Sequence, residues 1–130
     1  IKKECLRTVK MRVSKSLYVA YNDCEGAFTL SEDAVTWLAD HGVKGANQLL
    51  REVAKSVSGN FPSVDDSIIG VERHNTLLAL CIKELGSEKA SGERSLIRLR
   101  EIKGKKYMIK NTGGIETVLT PEEIIWVEVD

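Results

Sequence analysis

The stretch that decides the fold lies between residues 75 and 109: NTLLALCIKELG (75–86), followed after a short connection by LIRLREIKGKKYMI (96–109). Asn75 is a favoured helix N-cap and Gly86 a favoured C-terminal stop, and apolar residues recur between them at helical spacing. In the second segment apolar and basic residues alternate, as in a strand with one buried face. Because residues 103–105 are Lys-Gly-Lys, residues 96–109 are predicted to form a β-hairpin.

The residues before this stretch predict strands first and helices afterwards. Alternation at residues 9–13 and a β-rich run at residues 17–21 indicate one long or two short strands. Ser31 is a favoured N-cap for a helix of about residues 32–41, and apolar spacing over residues 46–57 predicts a second, amphipathic helix. Residues 61–70 lack a period and predict a loop of about ten residues.

The residues after it predict further short strands. Residues 111–114 read as a turn, residues 120–123 as a capping box with Pro121 at the first helical position, and residues 124–129 as a final strand. Strands joined by tight turns pair antiparallel, and helices grouped apart from them cover one face. We therefore expect a single α+β domain over residues 1–130, with a mainly antiparallel sheet and about three helices on one face.

Composition excludes several functional classes. The 130 residues have no net charge, which removes a whole-molecule attraction to nucleic acid or membrane. Three widely spaced cysteines, Cys5, Cys24 and Cys81, suggest neither a disulfide framework nor a zinc site. No apolar run has membrane-spanning length. The expectation is a soluble, cytoplasmic protein with no metal and no cofactor.

The neutral total hides a segregation of charge along the chain. Residues 93–110 carry seven basic and two acidic side chains, whereas residues 111–130 carry five acidic and none basic. One interpretation is that neighbouring strands carry complementary charges that pair across the sheet. The other is a basic face that binds phosphate groups of a nucleotide, nucleic acid or phosphorylated ligand. The residues of that face would be Lys10, Arg12, Arg98, Arg100, Lys105 and Lys110.

Arg73 and His74 form the strongest candidate site, because a bidentate cation and a group that titrates near neutrality adjoin a predicted helix start. An anion is expected to bind there. Asp65, Asp66 and Glu72 lie nearby in sequence and are candidates to orient the imidazole in an acid/base site, with His74 and Asp66 as the catalytic pair. The alternative is that His74 makes one structural hydrogen bond.

Two further features are candidates for binding. Trp37 and Trp126 are expected to be core or interface anchors, with ligand stacking as the alternative. Residues 24–28 join a strand to a helix, and binding residues often gather at such connections.

Several segments together resemble a family of small uncharacterised proteins that are frequent in bacteriophage genomes and also occur in cellular genomes as conserved hypothetical proteins. The similar segments are EGAFTLS (25–31), VERHN (71–75), ELG (84–86), ASG (90–92), EI (101–102), YMI (107–109) and GIE (114–116). The resemblance implies the α+β architecture and a phage or accessory-gene origin, and it implies no activity.

Two functions remain open at this point. The first is a non-enzymatic binding protein that forms a homo-oligomer and binds a protein partner or a phosphate-bearing ligand, since exposed sheet edges favour association. Arg73, His74, Arg98, Arg100 and Lys105 are its candidate binding residues. The second is a small enzyme that acts on a nucleotide-like substrate, with Arg73 as the anion clamp and His74 as acid or base.

Overall fold

The computed structural model describes residues 16–57 and 60–129 and shows an α+β fold, as predicted. Its helices are α1 (Glu32–Asp40), α2 (Lys44–Lys55), α3 (Asp66–Ile69), α4 (Thr76–Leu85) and α5 (Ser87–Ala90). Its strands are β1 (Ser16–Asn22), β2 (Ile97–Lys103), β3 (Met108–Thr112) and β4 (Ile115–Leu119), and a 3-10 turn, Pro121–Glu123, follows β4. The strand predicted at residues 9–13 lies outside the described residues.

Side-chain caps define where the predicted helices start. The Ser31 hydroxyl accepts the Ala34 N–H at 3.1 Å before α1, and the Asn75 side chain accepts the Leu78 N–H at 3.1 Å before α4. Each bond satisfies an N–H that the first helical turn leaves without a backbone partner. Both helix starts are confirmed, and the amphipathic helix predicted for residues 46–57 is present as α2.

The segment predicted as a loop, residues 61–70, contains a short helix. Asp65 caps α3 by accepting the Ile68 N–H at 3.0 Å, and Gly70 ends it in the left-handed region at φ 69°. Val64, just before, is buried and bridges to Leu30. The loop prediction was wrong for α3 because a single helical turn is too short to show a 3.6-residue period.

The strands form two antiparallel pairs, and residues 96–109 do not form the predicted hairpin. β1 pairs with β2, from Ser16 opposite Lys103 to Asn22 opposite Ile97, and β3 pairs with β4. The β3–β4 turn is made by residues 113 and 114, two glycines with φ of 60° and 95°, as a tight two-residue turn requires. Residues 104–107 connect β2 to β3 more loosely, so β3 pairs with the strand beyond the tighter turn.

The β1–β2 pair lies between the helices and the β3–β4 hairpin. Ala20 and Ile97, on one face, belong to the main core with the helices. On the opposite face Val19 and Ile102 pack against Val118 of β4 and form a second, smaller core. The helices therefore cover one face of this sheet, and the hairpin covers the other.

The alternation predicted for β2 is confirmed by burial. Ile97 is fully buried and Leu99 packs against the main core, whereas Arg98 is exposed. Arg100 points the same way as Arg98 but is only partly exposed, because Glu123 and the β4 backbone lie against it. The outer face is thus shared between water and the hairpin.

The end of the chain does not form the predicted final strand. The capping box between Thr120 and Glu123 is present, but residues 124–129, here called the C-terminal segment, have no regular secondary structure. Ile125, Trp126, Val127 and Val129 are 91%, 75%, 85% and 90% exposed. A strand needs a neighbour for its backbone hydrogen bonds, and within the described residues this segment has none.

Candidate functional site

Arg73, in the connection between α3 and α4, is a cation with most of its side chain buried. Its guanidinium bonds both oxygens of Glu116, with Nη1–Oε1 at 2.7 Å and Nη2–Oε2 at 3.0 Å. It also lies 3.7 Å above the Phe28 ring centroid, and its side chain is 15% exposed. Its Nε lies 3.1 Å from Asp66 Oδ2, although the Nε–H makes no hydrogen bond within the described residues.

The charges around Arg73 compensate each other. Burial lowers the pKa of Arg73, but its hydrogen bonds to Glu116 and the negative charge of Asp66 outweigh this effect, and the pKa is raised. Glu116 is itself buried and also accepts the Asn22 N–H at 2.8 Å. A buried carboxylate that accepts three such bonds is satisfied. An anion that approaches Arg73 must therefore compete with two carboxylates already in place.

His74 lies beside this cluster but makes different contacts. Its Nδ1 is 2.8 Å from the Tyr107 hydroxyl, and its Nε2 is 2.8 Å from Glu72 Oε2. Its side chain is 39% exposed. Burial and, next, the Glu72 carboxylate raise the pKa of Tyr107 above its ordinary value.

The carboxylate that reaches His74 is thus Glu72. Glu72 was one of three candidate carboxylates, and the other two are engaged elsewhere: Asp65 caps α3, and Asp66 pairs with Arg73. Arg73 and His74 are therefore neighbours in sequence with separate sets of partners. An acid/base role for His74 would use Tyr107 and Glu72.

Arg98 and Arg100, two other predicted binding residues, do not share the partners of Arg73 and His74. Arg98 pairs with Asp23 at 2.9 Å, and Arg100 pairs with Glu123 at 2.6 Å and donates to the Val118 carbonyl. The hydrogen bond from Arg100 and, next, those from the Thr120 hydroxyl and N–H lower the pKa of Glu123 to about 2. Both arginines thus pair with carboxylates, but neither carboxylate lies in a strand, because Asp23 follows β1 and Glu123 belongs to the 3-10 turn.

The remaining lysines of the predicted basic face are divided. Lys105 and Lys110 are exposed, in the β2–β3 connection and on β3. Lys10 and Arg12 lie outside the described residues. The described part of the chain therefore shows no single face on which all the predicted cations converge.

The structure contains a cleft of ≈ 800 Å³ that was not predicted from the sequence. The sequence signal that marks it is the connection at residues 24–28, together with the glycines of the segments 25–31 and 90–92. Gly26 is required there because a Cβ would lie 2.2 Å from the carbonyl oxygen of Arg94, which has a φ of 55°. The lining mixes carboxylates with one guanidinium and so defines no single ligand charge: Gly26, Ala27, Thr29, Leu30, Ser31, Glu32, Phe61, Pro62, Ser63, Ser91, Gly92, Glu93 and Arg94.

The two tryptophans have opposite environments. Trp37 packs against the main core, stacks on His41 with ring centroids 3.6 Å apart, and donates from Nε1 to Glu84 at 2.8 Å. Trp126 is exposed in the C-terminal segment. Trp37 is thus a core anchor, whereas within the described residues nothing covers Trp126.

Searches for related proteins add no assignment. No family model, curated protein or solved structure matches the chain. Within residues 16–57 and 60–129, no cluster of three or more His, Cys, Asp or Glu residues is arranged to hold a metal ion. No helix in the same residues has the length and apolarity to cross a membrane.

Proposed function

We propose that the chain is a non-enzymatic binding protein that docks its C-terminal segment onto another protein. The observation that supports this proposal is the exposure of Ile125, Trp126, Val127 and Val129, four large apolar side chains within five residues. Apolar surface in water costs about 25 cal/mol per Å², and contiguous exposed apolar patches mark interaction sites. A partner that covers these side chains removes that cost.

The backbone of the segment supports docking by strand addition. Residues 125–129 have no hydrogen-bonded neighbour among the described residues. An extended peptide can place its N–H and C=O groups on the edge of a sheet, where main-chain bonds supply affinity and side-chain pockets supply specificity. Trp126 would be the anchor, because tryptophan is enriched among residues that dominate binding energy.

A phosphate-bearing ligand has weaker support. Arg73, Arg98 and Arg100, three of the candidate binding residues, each already hold a carboxylate. A phosphate would have to displace these partners, whereas a protein can cover the C-terminal segment without breaking any described contact. The binding proposal therefore rests on the apolar segment.

Catalysis on a nucleotide-like substrate is the alternative, and one contact favours it. His74 is partly exposed and is held between the Tyr107 hydroxyl and the Glu72 carboxylate, an arrangement that can move a proton. Turnover of nucleoside phosphates by the unaltered protein, lost in His74→Ala with the fold retained, would support this alternative. Absence of turnover across nucleoside mono-, di- and triphosphates would count against it.

A site-specific photo-crosslinker tests the binding proposal. A benzophenone amino acid replaces Trp126 in one variant and Glu88 in a matched control, because Glu88 is exposed on α5. The cross-linked products are identified by mass spectrometry from cells that express each variant. We expect a defined protein adduct at position 126 that is weakened by Ile125→Ser and Val127→Ser.

The control decides what an adduct means. The same set of adducts at positions 126 and 88, or no adduct at position 126, would contradict docking through the C-terminal segment. An adduct specific to position 126 supports it, whichever protein is captured.

A further inference from the structure

We infer that the partner is a second copy of this chain, and that the C-terminal segment of each copy adds as a strand to the outer edge of β3 in the other. The inference rests on the proposed docking role of that segment. The exchange is reciprocal, so the resulting interface has two-fold symmetry and closes as a dimer.

The outer edge of β3 offers unpaired backbone groups. In a hairpin closed by a two-residue turn, the residues that flank the turn, Thr112 and Ile115, bond each other. Bonded and non-bonded pairs then alternate, so the backbone groups of Ile109 and Asn111 point away from β4. On β4 the same alternation turns the Val118 carbonyl outward, and it accepts a hydrogen bond from Arg100 there. Within the described residues β3 pairs with β4 alone.

The position of the segment favours exchange between copies over folding back within one copy. Glu123, one residue before the segment, is held by Arg100, which also bonds Val118 on the outer edge of β4. The segment therefore starts on the β4 side of the hairpin. The outer edge of β3 is on the opposite side of the hairpin, so the segment would have to cross both strands to reach it within the same copy. Adding to β3 of another copy requires no such crossing.

Charge selects β3 over the free edge of β2. Residues 105–110 contain three lysines and no carboxylate, whereas residues 122–129 contain three glutamates and no cation. Glu128 therefore meets favourable charge along β3. The alternation of bonded pairs in β2, which starts from the Asp23 N–H to Leu96 carbonyl bond, places the backbone groups of both Glu101 and Lys103 on the outer edge of β2. That edge therefore presents charges of both signs, whereas the charged residues among 105–110 are lysines alone.

The solvent face of the hairpin also supplies apolar surface. Thr112 lies opposite Ile115, and Met108 is four residues before Thr112, so Met108 and Ile115 share one face. They are 47% and 39% exposed. A strand beside β3 places alternate apolar residues of the segment next to Met108 and extends this surface.

Sedimentation velocity over a range of concentrations tests the inference on the full chain. We expect a dimer whose dissociation constant rises by a factor of about ten or more in Trp126→Ser. Asn111→Pro removes the outward N–H of β3 and should weaken the dimer similarly. Its matched control, Asn111→Ala, also loses the side-chain bond to the Gly114 N–H but keeps the outward N–H, and should remain a dimer.

Charge reversal provides a second, independent test. Lys110→Glu and Glu128→Lys should each weaken the dimer several-fold, and the double variant should recover affinity because the pair is restored in the opposite sense. Lys55→Glu, an exposed reversal on α2, is the control and should leave the dimer unchanged. Equal weakening by Lys55→Glu, or no recovery in the double variant, would overturn the assignment to β3.

The photo-crosslinker at position 126 separates failure of this inference from failure of the docking role. A cross-link to residues 105–112 of a second copy supports the inference. A monomer that cross-links to a different protein, or a cross-link to residues 97–103, overturns it and leaves docking through the segment intact. A monomer with no adduct removes both.

Discussion

The Arg73–Glu116 pair and the C-terminal segment both depart from the usual distribution of residues in a folded chain. At the first, charges are buried; at the second, large apolar side chains lie in water. Yet both carboxylate oxygens of Glu116 accept hydrogen bonds, whereas residues 125–129 have no hydrogen-bonded neighbour among the described residues. The Glu116 carboxylate is satisfied within the described part of the chain, although the Arg73 Nε–H makes no hydrogen bond there, whereas no described residue covers the apolar segment.

Whether a residue's contacts are satisfied therefore distinguishes structural residues from the proposed binding residues better than residue type does. Arg73 looks like a binding residue in the sequence, but its contacts join the α3–α4 connection to β4 and to the carbonyl of Ala20 in β1. The unsatisfied surface lies instead at Trp126. The docking proposal therefore follows the exposed apolar side chains rather than the charged residues.

Removing the Glu116 carboxylate should have the largest effect on the free energy of unfolding. Glu116→Ala leaves Arg73 buried without its main partner, and loss of one member of a buried ion pair costs about 3–5 kcal/mol. Urea unfolding measures the change. Glu122→Ala, on an exposed carboxylate, should change the free energy of unfolding by less than about 0.5 kcal/mol. Equal effects of the two substitutions would show that the pair is not structural.

A smaller loss is expected where the β3–β4 hairpin approaches the chain before α1. A Cβ on Gly114 would lie 2.1 Å from the Gly26 carbonyl oxygen, and φ at Gly114 is 95°. Gly114→Ala should therefore cost about 3 kcal/mol, which combines backbone strain with a steric clash. Gly104 has a similar φ of 94° and nothing within 4 Å, so Gly104→Ala should cost about 1–2 kcal/mol. Thermal unfolding of both variants measures the two losses of stability. A larger loss in Gly104→Ala than in Gly114→Ala would contradict the prediction.

The pH dependence of the Arg100–Glu123 pair tests the interpretation of paired charges. The pKa of Glu123 is lowered to about 2, first by the hydrogen bond from Arg100 and next by those from Thr120. A lowered carboxyl pKa stabilises the fold fully above the ordinary value near 4.5, and the contribution is lost as the pH falls towards 2. An NMR titration of the Glu123 side chain should show this low pKa, and Arg100→Gln should return it towards 4.5. An unchanged titration in Arg100→Gln would mean that Arg100 is not the cause.

The smallest effect on the isolated chain should come from the most exposed tryptophan. Trp126→Ser removes no described contact, so the free energy of unfolding at concentrations below dimer formation should change by less than about 0.5 kcal/mol. Urea unfolding at low and high protein concentration measures both states. A large loss at low concentration would mean that Trp126 belongs to the core of the single chain, and the contrast with Glu116 would disappear.

Local residues were sufficient to predict most elements. Ser31 and Asn75 place the starts of α1 and α4 because a capping side chain acts within three residues. The alternation over residues 97–100 predicts that Ile97 and Leu99 face the helices, since it depends on one strand alone, whereas the burial of Ile102 on the opposite face depends on Val118 of β4. α3 was missed because its four residues make a single helical turn, which is too short for a period to repeat.

What the sequence by itself determined is therefore local: the three longer helices α1, α2 and α4, the α+β class and the candidate pair Arg73 and His74. Only the tertiary structure decided which strands pair, that Glu116 neutralises Arg73 across 43 residues, that Glu72 and Tyr107 hold His74, and that Trp126 is left uncovered. The physical reason is range. Caps and periodicity act within a few residues, whereas pairing, burial and charge compensation depend on segments that meet only after the chain has folded.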